Sequence, residues 1–158
     1  MCARAPRRAA WRGLAGSPLE WWLTLTKERD VTRKAFSSPG AVAVGPYSHA
    51  VESGDLVYLS GQTPLDPATG ALAEGGIGAQ AERCFQNLFG VLAAAGVTPD
   101  DVVKVNVYLV DMSDFGAMND VYERQFTRPF PARTTIGVAA LPLGARIEIE
   151  LIARRPRG

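Results

Sequence analysis

Arg133 and Glu148 are the residues whose types and setting could carry out one reaction together. Pro131 fixes φ and cannot continue a helix, so Arg133 stands where a strand begins. After a turn at Leu141-Pro142-Leu143-Gly144, residues 146–152 alternate, with Ile147, Ile149 and Leu151 on one face and Arg146, Glu148 and Glu150 on the other. If the two segments pair as a hairpin, a guanidinium and a carboxylate come together beside a sheet face. The first suits an anionic substrate, and the second suits moving a proton. On spacing alone, a structural ion pair of Arg133 with Glu148 or Glu150 ranks ahead of that chemistry, and a solvated strand face accounts for both carboxylates.

Other reactive side chains read more plainly. His49, the only histidine, has no Ser/Asp or Cys partner in a recognisable arrangement and reads as a packing or surface residue. Cys84 falls on an apolar helical face and reads as core. Tyr47, after Gly45-Pro46, walls a pocket or packs at a turn, and Asn119 alone would be a surface amide. No metal-ligand spacing and no phosphate-binding glycine motif is present, and Gly75-Gly76-Ile77-Gly78 reads as a loop.

The elements that must position these residues fit one domain. A chain of 158 residues, 47% hydrophobic, is long enough for a core without disulfides or metal. Residues 1–30 carry six Lys/Arg against three Asp/Glu, leaving eleven against thirteen, or −2, for the remainder. A slightly acidic body is a poor partner for nucleic acid. Of the two cysteines only Cys84 lies in that body, which points to a reducing compartment, the cytoplasm, and to no disulfide frame. No run of about 18 apolar residues predicts a membrane span.

Residues 1–34 are expected to be an extension foreign to a single domain over 35–156. They hold all three tryptophans (Trp11, Trp21, Trp22) and no sustained period. An Arg-rich start admits a transit peptide. Translated leader is the preferred reading, because Lys27-Glu28 can be encoded as AAGGAG, a ribosome-binding sequence, and Val31 as GTG, a bacterial start codon.

From Ser37 the chain is orderly. Residues 41–44 read as extended, and Gly54-Asp55 turns a hairpin into the apolar strand 56–60, closed by Ser60-Gly61-Gln62. Ala81, Cys84, Phe85, Leu88, Phe89, Leu92 and Ala95 share one face of a helix that Gly96 caps. Residues 102–110 alternate as a strand, with Val103, Val105, Val107 and Leu109 on one side and Lys104, Asn106 and Tyr108 on the other. A second helix starts near Ser113-Asp114 and is expected to bury Phe115, Met118, Tyr122 and Phe126 before Pro129 and Pro131 end it. Two or three strands, helix, strand, helix and two strands make an α+β fold with two helices on one sheet face. The uncovered face predicts subunits that pack their sheets together and enclose ligand sites at the seams.

Gly45-Pro46-Tyr47-Ser48, Ser60-Gly61-Gln62, Asn119 within Met-Asn-Asp-Val-Tyr-Glu, Phe130-Pro-Ala-Arg133 and Ile147-Glu-Ile-Glu-Leu-Ile-Ala153 occur in this order. Together they resemble the RidA (YjgF) reactive-intermediate deaminase family over roughly residues 35–155. The resemblance implies a chorismate-mutase-like (ferredoxin-like), antiparallel-dominated mixed sheet and a homotrimer whose sheets form a barrel with sites at subunit interfaces. It further implies no cofactor and no metal, and hydrolysis of 2-enamines and 2-imines, such as 2-aminoacrylate, to 2-oxo acids and ammonia. It puts the substrate-carboxylate arginine on Arg133 and the water-activating glutamate on Glu148. Substrate-binding positions fall on Tyr47, Ser60, Gly61, Asn119 and Thr135. Many members carry Cys where this chain has Thr135, whose hydroxyl keeps a donor but is a weaker nucleophile and far less oxidisable. Three alternatives remain: a trimer that senses a 2-oxo acid, a catabolic deaminase for a larger enamine, and a ribonuclease, which the acidic body disfavours.

Overall fold

Gly54 adopts φ of +63°, a left-handed turn open to glycine, and so joins β2 (Ala50–Ser53) to β3 (Leu56–Gln62) as a tight hairpin with Ser53 opposite Leu56. The computed structural model describes residues 33–38 and 45–156. The expectations for residues 1–32 and for the extended segment 41–44 lie outside the described residues. A short β1 (Lys34–Phe36) borders β2. The remaining elements are α1 (Ile77–Ala95), β4 (Val102–Leu109), α2 (Phe115–Gln125), β5 (Ala132–Gly137) and β6 (Ile147–Arg154).

Both helices bury the apolar stripe that their period specifies. In α1 this is Ala81, Cys84, Phe85, Leu88, Val91 and Leu92, and Gly96 ends the helix in the left-handed conformation at φ +72°. In α2 it is Met118, Val121 and Tyr122, with Phe126 following. These side chains pack on Val57 and Leu59 of β3, Val105, Val107 and Leu109 of β4, and Ile147, Ile149 and Leu151 of β6. The opposite parity of the sheet carries Asn106, Tyr108, Glu148 and Glu150, all half-buried. The alternation read for residues 147–152 therefore holds.

The sheet order is β1-β2-β3-β6-β4-β5, mixed and mainly antiparallel. The expected hairpin of the last two strands is not formed. A crossover through α2 delivers β5 beside β4 in parallel, with Val105 opposite Arg133, and β6 runs between β3 and β4, antiparallel to both. Two further expectations are corrected. A register shift between Val102 and Lys104 against β6 turns Val103 outward, while Val102 takes the core parity. Phe115 is exposed at the start of α2, where its ring lies near the guanidinium of Arg133.

Candidate active site

Arg133 follows the parity of Val105, so its side chain lies on the helix-covered side of the sheet. Its guanidinium carbon stands 4.3 Å from the ring centre of Tyr122 and 5.6 Å from that of Phe115. Aromatic faces hold the plane of a guanidinium while leaving its N–H edge available to a planar anion. Arg133 has no ion pair among the described residues, so the structural pair with Glu148 or Glu150 is not formed. It lines a cleft of about 280 Å³ with Asn119, Tyr122, Glu123, Phe130 and Pro131. Asn119 and Tyr122 are three residues apart and share one surface of α2, a spacing that could have drawn Tyr122 into the sequence reading.

Glu148 lies on the other parity, opposite Tyr108, and lines a second cleft of about 330 Å³ with Tyr47, Ser60, Gly61, Thr63 and Pro142. Leu59 pairs with Leu151 and Gln62 with Ile149, which leaves one extra residue on β3, a bulge at Ser60-Gly61. The bulge brings the Gly61 backbone against Glu148, and a Cβ at Gly61 would collide with the carboxylate. Ser60 ties down the neighbouring segment. Its N–H donates to the His49 carbonyl at 2.9 Å and its hydroxyl to the Ser48 carbonyl at 2.8 Å. That segment presents Tyr47, whose ring meets buried His49 edge to face at 5.8 Å. His49 is thus a packing residue behind the cleft wall.

Burial first, and the charge of Glu150 second, raise the pKa of Glu148 above the ordinary carboxylate value. A carboxylate of raised proton affinity is a better base. Burial pushes the Cys84 thiol well above its ordinary pKa, and its Sγ lies 3.9 Å from the Ile147 carbonyl, so it is a neutral core group. Gly61→Ala is expected to push the Glu148 carboxylate aside and lower kcat about 10²-fold, the scale for displacing a catalytic group by about 1 Å. Steady-state kinetics alongside circular dichroism checks that the loss is not unfolding.

The two clefts are separate within the chain. Arg133 and Glu148 sit on strands that flank β4, about 10 Å apart across the sheet, and on opposite parities. Tyr47, Ser60 and Gly61 gather around Glu148, and Asn119 around Arg133. Thr135 follows Arg133 on the same parity of β5, and its hydroxyl oxygen is buried with no hydrogen-bond partner among the described residues. Phe115 and Tyr122 beside the guanidinium, and Thr63 and Pro142 beside the carboxylate, were not singled out as site residues from sequence. Among the described residues no group of three His, Cys, Asp or Glu could hold a metal ion. No helix among them is long and apolar enough to cross a membrane.

Residues 38–155, which carry both clefts, match the family described as endoribonuclease L-PSP. This chain belongs to that family. The L-PSP family is the RidA (YjgF) family that the motifs resemble. The chain is 48% identical over 128 residues to the protein DfrA of Myxococcus xanthus, covering 79% of this chain and 98% of that one. It is 46% identical over 124 residues to the 2-iminobutanoate/2-iminopropanoate deaminase of Mus musculus, covering 78% and 92%. The crystal structure of RidA from an Antarctic Psychrobacter species superposes with a TM-score of 0.75 at 45% identity, covering 78% of this chain and all of that one. The α+β architecture of the L-PSP family is therefore that of this chain.

Proposed function

We propose that this L-PSP family member is a hydrolase acting on C=N bonds, which converts 2-imino acids and their enamine tautomers, 2-aminoacrylate among them, to 2-oxo acids and ammonia. The observation that carries the reading is the guanidinium of Arg133, held between aromatic rings with no ion pair among the described residues. An imine of a 2-oxo acid carries a carboxylate beside its electrophilic carbon, and Arg133 grips that carboxylate through two parallel hydrogen bonds. Glu148 takes a proton from the water whose oxygen bonds to the imine carbon, and delivers it to the nitrogen that receives the C=N electron pair. It then moves the carbinolamine hydroxyl proton to that nitrogen. Ammonia leaves with the C–N pair as the O–H pair becomes the carbonyl, and Glu148 ends as the carboxylate it began. Tyr47, Asn119 and Thr135 line the substrate's path, while Ser60 and Gly61 hold Tyr47 and Glu148 in place.

Two incomplete clefts on opposite parities support a site shared between copies, with Arg133 of one subunit facing Glu148 of the next in a cytoplasmic homotrimer built on residues 35–156. The relatives named 2-iminobutanoate/2-iminopropanoate deaminase support the substrate class. The chain has one histidine, buried behind Tyr47, and its body is slightly acidic, which favours a small molecule over RNA. Adding the protein to a serine dehydratase reaction, which releases 2-aminoacrylate, is expected to accelerate pyruvate formation. No acceleration, with saturable binding of 2-oxobutyrate, would instead make it a 2-oxo-acid sensor.

A further inference from the structure

Glu148 and Glu150 share one face of β6, but their surroundings differ. The side-chain amide of Asn106 donates to Oε1 of Glu150 at 2.6 Å, and the Tyr108 hydroxyl donates to the same oxygen at 2.9 Å. Both donors come from β4, where Asn106 pairs with Glu150 and Tyr108 with Glu148. Glu148 receives no hydrogen bond among the described residues. The groups that face it are Glu150 on its own strand, Tyr108 on β4, Tyr47 across the cleft and, in the shared site proposed above, Arg133 of a neighbouring subunit; the neutral thiol of Cys84 lies on the helix-covered side of the sheet. Of the cations on and beside β4 and β6, Lys104 donates to the Thr134 hydroxyl, Arg146 pairs with Asp114 and Arg154 with Asp55. Burial first, and Glu150 as acceptor second, raise the Tyr108 phenol, so it remains a donor.

We propose that Glu150, with Asn106 and Tyr108, is a positioning unit that makes Glu148 the basic member of a carboxylate pair. The two donors hold one oxygen of the Glu150 carboxylate beside Glu148. Glu148, without donors and beside that carboxylate, is the member that takes up the proton of the attacking water. A carboxylate with a second one beside it and no donors of its own has its proton affinity raised, and a guanidinium brought to Glu148 by a neighbouring subunit acts on wild type and Glu150→Gln alike. The inference rests on the deaminase reading for its catalytic meaning, though the pair itself is a property of the sheet face.

Carboxyl-carbon NMR titration of the ¹³C-glutamate-labelled protein, without substrate, together with the pH profile of kcat/KM, tests it. In Glu150→Gln the Glu148 midpoint moves down and the acid limb of the profile moves down with it. The plateau rate falls about two- to tenfold, far less than the about 10²–10⁴-fold expected for loss of the base itself. Tyr108→Phe, which frees the Glu150 carboxylate from one of its two donors, shifts the Glu148 midpoint and serves if Glu150→Gln does not fold. A Glu148 midpoint unmoved by Glu150→Gln, or by Tyr108→Phe where that serves in its place, overturns the proposal. If the midpoints behave as stated but the wild-type protein does not deaminate, the deaminase reading falls and the pair stands. If deamination depends on Glu148 while its midpoint ignores Glu150, the pair falls and the deaminase reading stands.

Discussion

Glu148→Gln is expected to lower kcat for imine hydrolysis by about 10²–10⁴-fold, the usual contribution of a positioned general base, while leaving 2-oxobutyrate binding nearly unchanged. The amide has the shape of the acid and fits the space that Gly61 leaves, but it cannot accept the water's proton. Binding is expected to survive because the proposed anion grip is Arg133, which lines the other cleft. The same change should raise the melting temperature at neutral pH. Burial and Glu150 hold the folded-state pKa of Glu148 above the ordinary value of 4.5, so its ionisation opposes folding. That penalty is absent below the unfolded-state value, grows as pH rises, and is complete above the folded-state value. The stabilisation by Gln should therefore be present at pH 7 and vanish below the ordinary carboxylate range. Kinetics, calorimetric titration and melts at the two pH values check the three parts, and equal losses of binding and turnover would remove Glu148 from the role of base.

Face assignments were legible in the sequence, and strand partners were not. Alternation along residues 147–152 is a property of one segment, so it set the parity of Ile147, Glu148 and Glu150 without reference to any neighbour. Pairing depends on where the chain returns. The hairpin of β5 with β6 assumed that consecutive strands are adjacent, whereas residues 102–137 already read strand, helix, strand, a pattern that brings two strands side by side in parallel. Bulges were equally hidden, because an unpaired residue leaves no mark on composition. At Val103 the bulge inverts exposure. At Ser60-Gly61 it supplies a physical reason for the glycine: β3 passes too close to Glu148 for a side chain at position 61. Helical period places Phe115 in the core, whereas its ring is exposed near the guanidinium of Arg133.

Arg133→Ala is expected to lower kcat/KM by about 10²–10⁴-fold and to abolish 2-oxobutyrate binding, because two hydrogen bonds to a charged group contribute about 1.5–3 kcal/mol each. Arg133→Lys should recover only part of this, since an ammonium can neither present the paired N–H edge nor stack its plane on Tyr122 and Phe115. Folding should tolerate both changes, for no ion pair of Arg133 is broken among the described residues. The loss is then assignable to the anion grip. Mixing the two defective chains tests where the site forms. Arg133→Ala subunits retain Glu148, and Glu148→Gln subunits retain Arg133. If each site takes its guanidinium from one copy and its carboxylate from the next, equal mixing and reassembly should restore about a quarter of wild-type activity, the fraction of interfaces that receive both intact groups. If both groups came from the same copy, the mixture would be no more active than its parts. The separation of the two clefts on opposite parities of one sheet favours recovery.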